Sequence, residues 1–391
     1  MRVCHLIKTT ALKSDGRLQK WIKSLKVKGY HSDILILQDN NSDSYEEGPY
    51  NSAVNKIALQ SRRLFKQRKG YFFKVPEYAI KTFFFLRKQK NTDVFVFHDV
   101  QQYLNLFIAT IFFRNKQIIW DLHELPHNVM FRHSLFRSFL KYLLKNVDVV
   151  IYTNQERRDY IIDKLNVQEK AYTILNNFPD LDYINKNKTP LPTELKSLRP
   201  DLPYIIWLGA ATAGRNFDTF LKTYDTVLSS RFNLVILGRI DSEFRLILNK
   251  YIDVKYCYNA FIPQQKMINY IDNAYFSVVL YNCQNPNNLY CEPNRLYQLI
   301  TRHIPCVVGH NPTMSNIINK TGGAVVLSDD GSEVQYLSQS INELLTSLND
   351  FKTRLETNSI IEKLNWDDQF DNDVAPLVRG HFKSKLKVDT I

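Results

Sequence analysis

The sequence predicts an α/β fold of two doubly wound, Rossmann-like domains with a cleft between them. Three observations lead there. Short β-branched runs alternate with helical patterns along the whole chain, 391 residues are too many for one ordinary core, and a polar stretch with four prolines interrupts the alternation near the middle. In the first half the strand-like runs are "VCHLI", "DILIL", "DVFVF", "QIIW", "DVVIY" and "YTIL"; in the second they are "YIIWL", "NLVILG", "VKYC", "FSVVLY", "CVVG" and "GAVVL". Apolar runs bounded by turn residues and separated by helices suit parallel sheets covered on both faces. After the first run, Leu18, Trp21, Ile22 and Leu25 recur at helical spacing, with Lys20, Lys23 and Lys26 on other faces. Ser14 or Asp15 can cap that helix, and Gly29 suits its end. "NKNKTPLPTELKSLRPDLP" reads as a linker, and "LNWDDQFDNDVAPLVRGHF" as a helical tail around Trp366. The expected division is a domain over 1–185, a linker over 186–202, a second domain over 203–370 and a carboxyl-terminal helix and tail over 371–391 that crosses back to the first domain.

Composition narrows the class. At 44% hydrophobic and 23% charged the chain is an ordinary globular sequence, with no low-complexity tract. Its five cysteines form no CxxC pair, which argues against a zinc site or a disulfide framework and for buried thiols in a reducing compartment. "MRVCHLIKTT" reads as a first strand and not as a signal peptide. The longest apolar run, "YLNLFIATIFF", is about half the length a membrane-spanning helix requires. The expectation is a soluble protein, at most peripheral to a membrane. The net charge of +12 is uneven: residues 1–185 hold 29 Lys and Arg against 18 Asp and Glu, whereas the rest hold 22 against 21. That asymmetry points one half toward an anionic partner.

Five stretches carry candidate chemistry. In "TTALKSDGRLQKW", Gly16 allows close backbone approach at a helix start, with Asp15 and Arg17 beside it; the alternative is a plain turn. "FVFHDV" and "IIWDLHE" deliver His98 and Asp99, then Asp121, His123 and Glu124, to neighbouring strand ends. Open α/β sheets bind ligands at such ends, where a histidine can contact sugar hydroxyls and a carboxylate can orient it or act as base. "WLGAATAGRNFDTF" runs from strand through a small-residue loop into a helix, so Arg215, followed by Asn216, can meet a diphosphate there; the alternative is a tight turn with a solvated arginine. "CEPNRLYQLITRHIPCVVG" puts Pro293 at the first position of a helix carrying Asn294, Arg295 and Gln298, with Glu292 placed either to accept from a ribose or simply to favour the helix dipole.

In this order the pieces resemble the bacterial family-4 glycosyltransferases of the GT-B fold, of the type that builds surface polysaccharide, capsule or lipopolysaccharide, over nearly the full length. "HDV…IIWDLHE" is similar to that family's HD…DLHE segment, "LGAATAGRNFD" to its nucleotide-phosphate loop, and "EPNRLYQLITRHIPCVV" to its PNK-x-x-E-Y…G-x-P-V-V segment. The resemblance implies that Gly16 approaches the donor phosphate and that His123 contacts the donor sugar. It places Arg215 at the usual phosphate-binding lysine and Gln298 at the ribose-binding glutamate, with Glu292 near the other acidic residue but out of register. Three positions depart from the pattern: Ala210 replaces an arginine, Gln298 a glutamate and His303 a glycine. Arg239 or Arg295 would have to supply the missing phosphate cation. The resemblance further implies a nucleotide-diphospho sugar as donor substrate, no metal or other cofactor, and retention of configuration. An inverting reaction would instead need Asp15, Asp99 or Glu124 as base.

Residues 62–90 hold ten Lys or Arg and one acid, Glu77, interleaved with phenylalanines and Tyr71. In "SLFRSFLKYLLKN", Arg137, Lys141 and Lys145 form one stripe and Leu140, Leu143 and Leu144 another. Such stretches suit an anionic membrane interface; the alternative is aromatics in the core and a solvated basic rim. No nucleic-acid module accompanies them. The expected partners are thus a nucleotide sugar, a glycan or lipid-linked acceptor and an anionic membrane, with the protein cytoplasmic at the inner face. Two other classes stay open: a nucleotide-sugar epimerase-like enzyme on the same fold, and a non-catalytic partner protein.

Overall fold

The computed structural model describes residues 1–8, 12, 15–38, 48–64, 71–253 and 256–378. The chain forms two compact units, Met1–Asn176 with Asp367–Ile391, and Asn177–Trp366. This division departs from the expected one. The stretch 186–202 is part of the second unit and not a free linker: it forms a short 3-10 turn, Thr193–Ser197, and buries Leu195 and Leu198 against that unit's core. The described residues from Asp367 on, 367–378, belong with the first unit.

The first unit is a seven-stranded parallel sheet built from β1 (Arg2–Ile7), β2 (His31–Gln38), β3 (Ala53–Ala58), β4 (Val94–His98), β5 (Gln117–Leu122), β6 (Val149–Tyr152) and β7 (Tyr172–Ile174), in the order β3-β2-β1-β4-β5-β6-β7. Every residue of β4, β5 and β6 is buried, as expected of strands covered on both faces. β3 was not legible as a strand, because "AVNKIA" lies at the sheet edge and is mostly exposed. The order reverses between β1 and β4, and open α/β sheets leave a ligand crevice beyond the strand ends at such a point.

The first helix, Gly16–Val27, buries Leu18, Trp21, Ile22 and Leu25 and starts at Asp15, whose carboxylate accepts from the Leu18 N–H at 3.1 Å. Ser14 lies outside the described residues. Gly29, at φ +75°, ends the helix. The carboxyl-terminal segment packs on this same helix: Phe370 is fully buried with its ring edge-on to Trp21, 5.0 Å between centroids. Gln369 bonds Asn176 and the Ile174 carbonyl, and Lys28 pairs with Asp371 at 2.7 Å.

The second unit is a six-stranded parallel sheet built from β8 (Tyr204–Leu208), β9 (Asn233–Leu237), β10 (Cys257–Ala260), β11 (Ser277–Val279), β12 (Cys306–Val308) and β13 (Ala324–Val326), in the order β10-β9-β8-β11-β12-β13. Its switch point lies between β8 and β11. β10 starts three residues beyond the start of the expected "VKYC" run. Alternation along β8 divides the core: Ile206 and Leu208 pack with Leu296 and Met314 on one face, Ile205 and Trp207 with Phe217 and Phe220 on the other. No helix among the described residues is long and apolar enough to cross a membrane. All five cysteines are free thiols.

Candidate functional site

Each unit has candidate residues at its own switch point. In the first, β1, β4 and β5 bring His5, His98 and Asp121 side by side beneath the first helix. Asp121 is completely buried, and its carboxylate is filled: Arg17 donates from Nη2 at 2.7 Å and from Nε at 3.0 and 3.2 Å, Trp21 Nε1 at 3.0 Å, and His98 Nδ1 lies at 3.1 Å. Arg17 also donates to the Leu175 carbonyl. The surrounding protein would raise the Asp121 pKa by desolvation, but the Arg17 charge and the His98 and Arg17 hydrogen bonds outweigh that and hold it well below the usual carboxylate range. The carboxylate orders the rings in turn: an Nδ1–H of His98 donating to Asp121 leaves His98 Nε2 facing His5 Nδ1 at 3.0 Å. Arg17 and His98 were expected to contact ligand, and Asp121 either to support its neighbours or to contact the acceptor. They instead form a buried positioning network, because their polar atoms are used up inside the unit.

The exposed candidates lie one step further out. Asp99, just past β4, has φ 68° and ψ 175°, a region nearly reserved for glycine that costs about 1–3 kcal/mol for other residues. Its N–H donates to the Asp121 carbonyl and its own carbonyl accepts from Trp120 Nε1, which lock that conformation. Asp99 Oδ2 then faces His123 Nε2 at 4.0 Å. Asp99 Oδ1 and His123 Nδ1 are buried with no partner among the described residues. Arg157 donates to the His123 carbonyl and fixes its backbone. Glu124 reaches the surface beside them; desolvation and the Asp99 charge raise its pKa against the pull of His123 and Arg157. Buried polar atoms are normally paired, so orphans on two neighbouring side chains at strand ends mark a place a hydroxylated ligand would complete. Asp15 is committed to its helix cap, with Gly16 half-buried beside it.

In the second unit the loop after β8 forms a cationic seat. Gly209 has φ +93°, and a Cβ there would stand 2.4 Å from Arg215 Nη1 and 3.4 Å from Arg295 Nη1, so the two guanidinium groups converge where only glycine leaves room. Both lie over the Tyr281 ring, Arg295 at 4.7 Å and Arg215 at 5.2 Å. Arg295 is buried and donates to the Leu208 and Leu280 carbonyls, and Arg215 donates to Ala210 O. Among the described residues neither pairs with a carboxylate. Burial, with a smaller contribution from Arg215, lowers the Arg295 pKa to about 10, which still leaves it charged at neutral pH. Two cations without an anion are a poor way to stabilise a fold and a good way to hold a diphosphate. Arg295 thus stands where the loss of an arginine at Ala210 asked for a cation. Arg239 does not: it is exposed and lies over the Phe261 ring.

The other expected donor contacts differ. Asn216 is left-handed (φ 48°) and its side chain donates to the Asp330 carbonyl, so it shapes the loop. Glu292 is buried, and its Oε1 accepts from Tyr297 OH. Pro293 is the cap and Asn294 the first residue of the helix Asn294–Ile300, one position later than expected. Gln298 is buried on that helix. His303 has φ 58°, the conformation that explains a glycine in the resembled turn. Sequence reasoning missed His5 and Tyr281; a histidine inside "VCHLI" and a tyrosine directly after "SVVL" were the available signals.

No protein-family model matches the chain, and no curated protein matches it in sequence. Solved structures do match. Sucrose-phosphate synthase from Thermosynechococcus elongatus aligns with a TM-score of 0.69 at 14% identity over 94% of this chain and 96% of its own. A trehalose-6-phosphate protein from E. coli, bound with UDP-2-fluoro glucose, gives 0.72 at 13% over 95% and 97%. A glycosyltransferase from Rickettsia africae gives 0.67 at 12% over 93% and 98%. At such identity the likeness is one of architecture, and the two parallel-sheet units of this chain have the GT-B fold.

Proposed function

We propose that this protein is a glycosyltransferase that moves a sugar from a nucleotide-diphospho sugar to a growing surface glycan or lipid-linked acceptor. The observation that carries the reading is the pair of guanidinium groups, Arg215 and Arg295, meeting over Gly209 with no ion pair to a carboxylate among the described residues. A diphosphate would bring the missing anion, accept charge-assisted hydrogen bonds and leave as a stabilised anion when the glycosidic bond breaks. In this reading the arginines do the neutralising and no metal is required. The nucleotide sugar bound to one structural neighbour supports that donor class.

The first unit supplies the acceptor side. His123 and Asp99, with orphan atoms and fixed backbones, would orient the sugar and the attacking hydroxyl, and Glu124, with its raised pKa, could hold a proton nearby. Transfer with retention fits best: the leaving phosphate takes the acceptor proton, and no protein nucleophile is needed. The same unit exposes Phe73, Phe84, Phe112 and Leu135 next to a basic surface, which supports docking on an anionic inner membrane leaflet. Part of the 62–90 stretch lies outside the described residues; within it the helix Tyr71–Lys88 buries Tyr78, Thr82 and Leu86 and turns Phe73, Ile80 and Phe84 outward.

The test is to find a binder in a panel of nucleotide sugars by thermal shift and then follow its turnover. His123→Ala should lower kcat by about 100-fold while changing donor affinity less than about threefold. Equal loss of both would remove His123 from the reacting centre.

A further inference from the structure

The second unit holds a cavity of about 750 Å³, within the range of roughly 300–1,000 Å³ that small-molecule sites occupy. It lies at the end of the sheet opposite the arginine seat: Tyr275 and Ile304, which line it, each stand two residues before β11 and β12. Three helices end at it. Gln264–Ile271 stops at Asp272, Asn294–Ile300 at Thr301 and Leu348–Thr357 at Asn358, and all three terminal residues line the cavity. Helix carboxyl ends carry partial negative charge and spare carbonyl acceptors, so they repel an anion and receive donors such as hydroxyls.

Charge and burial narrow the occupant further. The acidic and basic lining residues balance, with Lys188, Arg302 and Lys352 against Asp272, Glu356 and Glu362. Arg302 and Asp272 are spent on one another at 2.6 Å. The Lys188, Glu356 and Glu362 side chains are exposed and make no hydrogen bond or ion pair with a described residue. Beneath them the floor is apolar, with Ala274, Ile304, Leu355 and Ile361 at most 5% exposed. A phosphate would meet acids and helix carboxyl ends, and a hydrocarbon would desolvate the polar rim without pairing it. A sugar matches both parts, with C–H faces for the floor and hydroxyls that donate and accept at the rim.

His303 adds a contact placed at a cost. It lines the cavity with φ 58°, where a glycine would be unstrained, and its ring makes no hydrogen bond with a described residue. Burial lowers its pKa, Glu356 pulls against that and Arg302 adds to the lowering, so the ring is neutral at pH 7 with one donor and one acceptor nitrogen.

We infer that this cavity binds a short run of neutral sugar units, with His303 as a hydrogen-bonding contact, and so gives the growing glycan a second hold apart from the arginine seat. This rests on the glycan-acceptor reading above for the source of those sugars, and not on the donor reading.

Maltotriose, cellotriose, laminaritriose and triacetylchitotriose are the probes, titrated calorimetrically into the full chain beside their monosaccharides, trigalacturonic acid and inorganic phosphate. At least one neutral trisaccharide should bind as one molecule per chain with a Kd of about 1 mM or tighter, and about tenfold or more tighter than its monosaccharide and both anions. His303→Gly should leave the thermal midpoint equal or higher, because it relieves the backbone, and yet weaken that trisaccharide about tenfold. Ser359→Trp, at an exposed lining position, should obstruct the cavity and weaken it as much. No saturable binding by any of the four, a monosaccharide or anion bound as tightly, or full affinity in either variant would overturn the inference. Nucleoside diphosphate binding on the same samples reports on the arginine seat. If it is absent while a trisaccharide binds, the donor reading falls and this one stands; if it persists in both variants, their fold is intact.

Discussion

A carboxylate as deeply buried as that of Asp121 persists because every donor around it is aimed at it. Two charged hydrogen bonds from Arg17, the Trp21 indole and the His98 ring compensate a desolvation cost of several kcal/mol. The same arrangement sets a pH response. Burial, then the neighbouring His98, drive the His5 pKa well below its usual 6.5, outweighing the pull of Asp121. The unfolded chain therefore binds a proton near pH 6.5 that the folded chain refuses. Stability from this residue is complete above about pH 6.5 and falls as pH drops below it, by up to about 1.4 kcal/mol per pH unit. Asp121, with its pKa depressed, adds a second loss only below about pH 3.9. Denaturation midpoints measured between pH 7.5 and 5 should show the first slope, and His5→Gln, which keeps a hydrogen-bonding partner for His98, should flatten it. An unchanged slope in that variant would place the titration elsewhere.

At the scale of elements, the loop after β8 works because two backbones touch. A Cβ on Gly238, just past β9, would lie 2.1 Å from the Gly209 carbonyl oxygen, so the two strand ends are held together by having no side chains between them. Gly238→Ala should push Gly209 and the arginines apart, costing about 1–3 kcal/mol in chemical denaturation and weakening nucleotide binding at the same time. A stability loss with full binding would mean the seat does not depend on this contact. Much of this was legible in advance. Glycine, small residues and Arg215 between a strand and a helix pointed to a phosphate loop, and the strand ends carrying His123 and Asp99 were readable from apolar runs that stop at polar residues. The distant partners were not legible. Nothing local to "CEPNRLYQL" says that Arg295 reaches Leu208, 87 residues away, whereas the Glu292–Tyr297 bond lies within the stretch and follows from where the helix starts. "DLHE" likewise could not reveal that its aspartate points inward to Arg17, 104 residues away, while its histidine stays half-exposed. β3 escaped because an edge strand need not be apolar.

At the scale of the whole molecule, two parallel-sheet units each place chemistry at the point where strand order reverses, one cationic and built from arginines, the other carrying carboxylates and histidine. The excess positive charge of the first 185 residues does not belong to the arginine seat, which lies in the nearly neutral remainder. In the proposed reading donor binding draws on two placed guanidiniums and not on overall charge, and it should discriminate by phosphate count. Calorimetric titration of uridine, guanosine and adenosine diphosphates, each beside its monophosphate, tests this most directly. The account predicts that at least one diphosphate binds about tenfold or more tightly than its monophosphate, and that Arg215→Ala removes that advantage. No binding by any diphosphate, or the same advantage in Arg215→Ala, would contradict it.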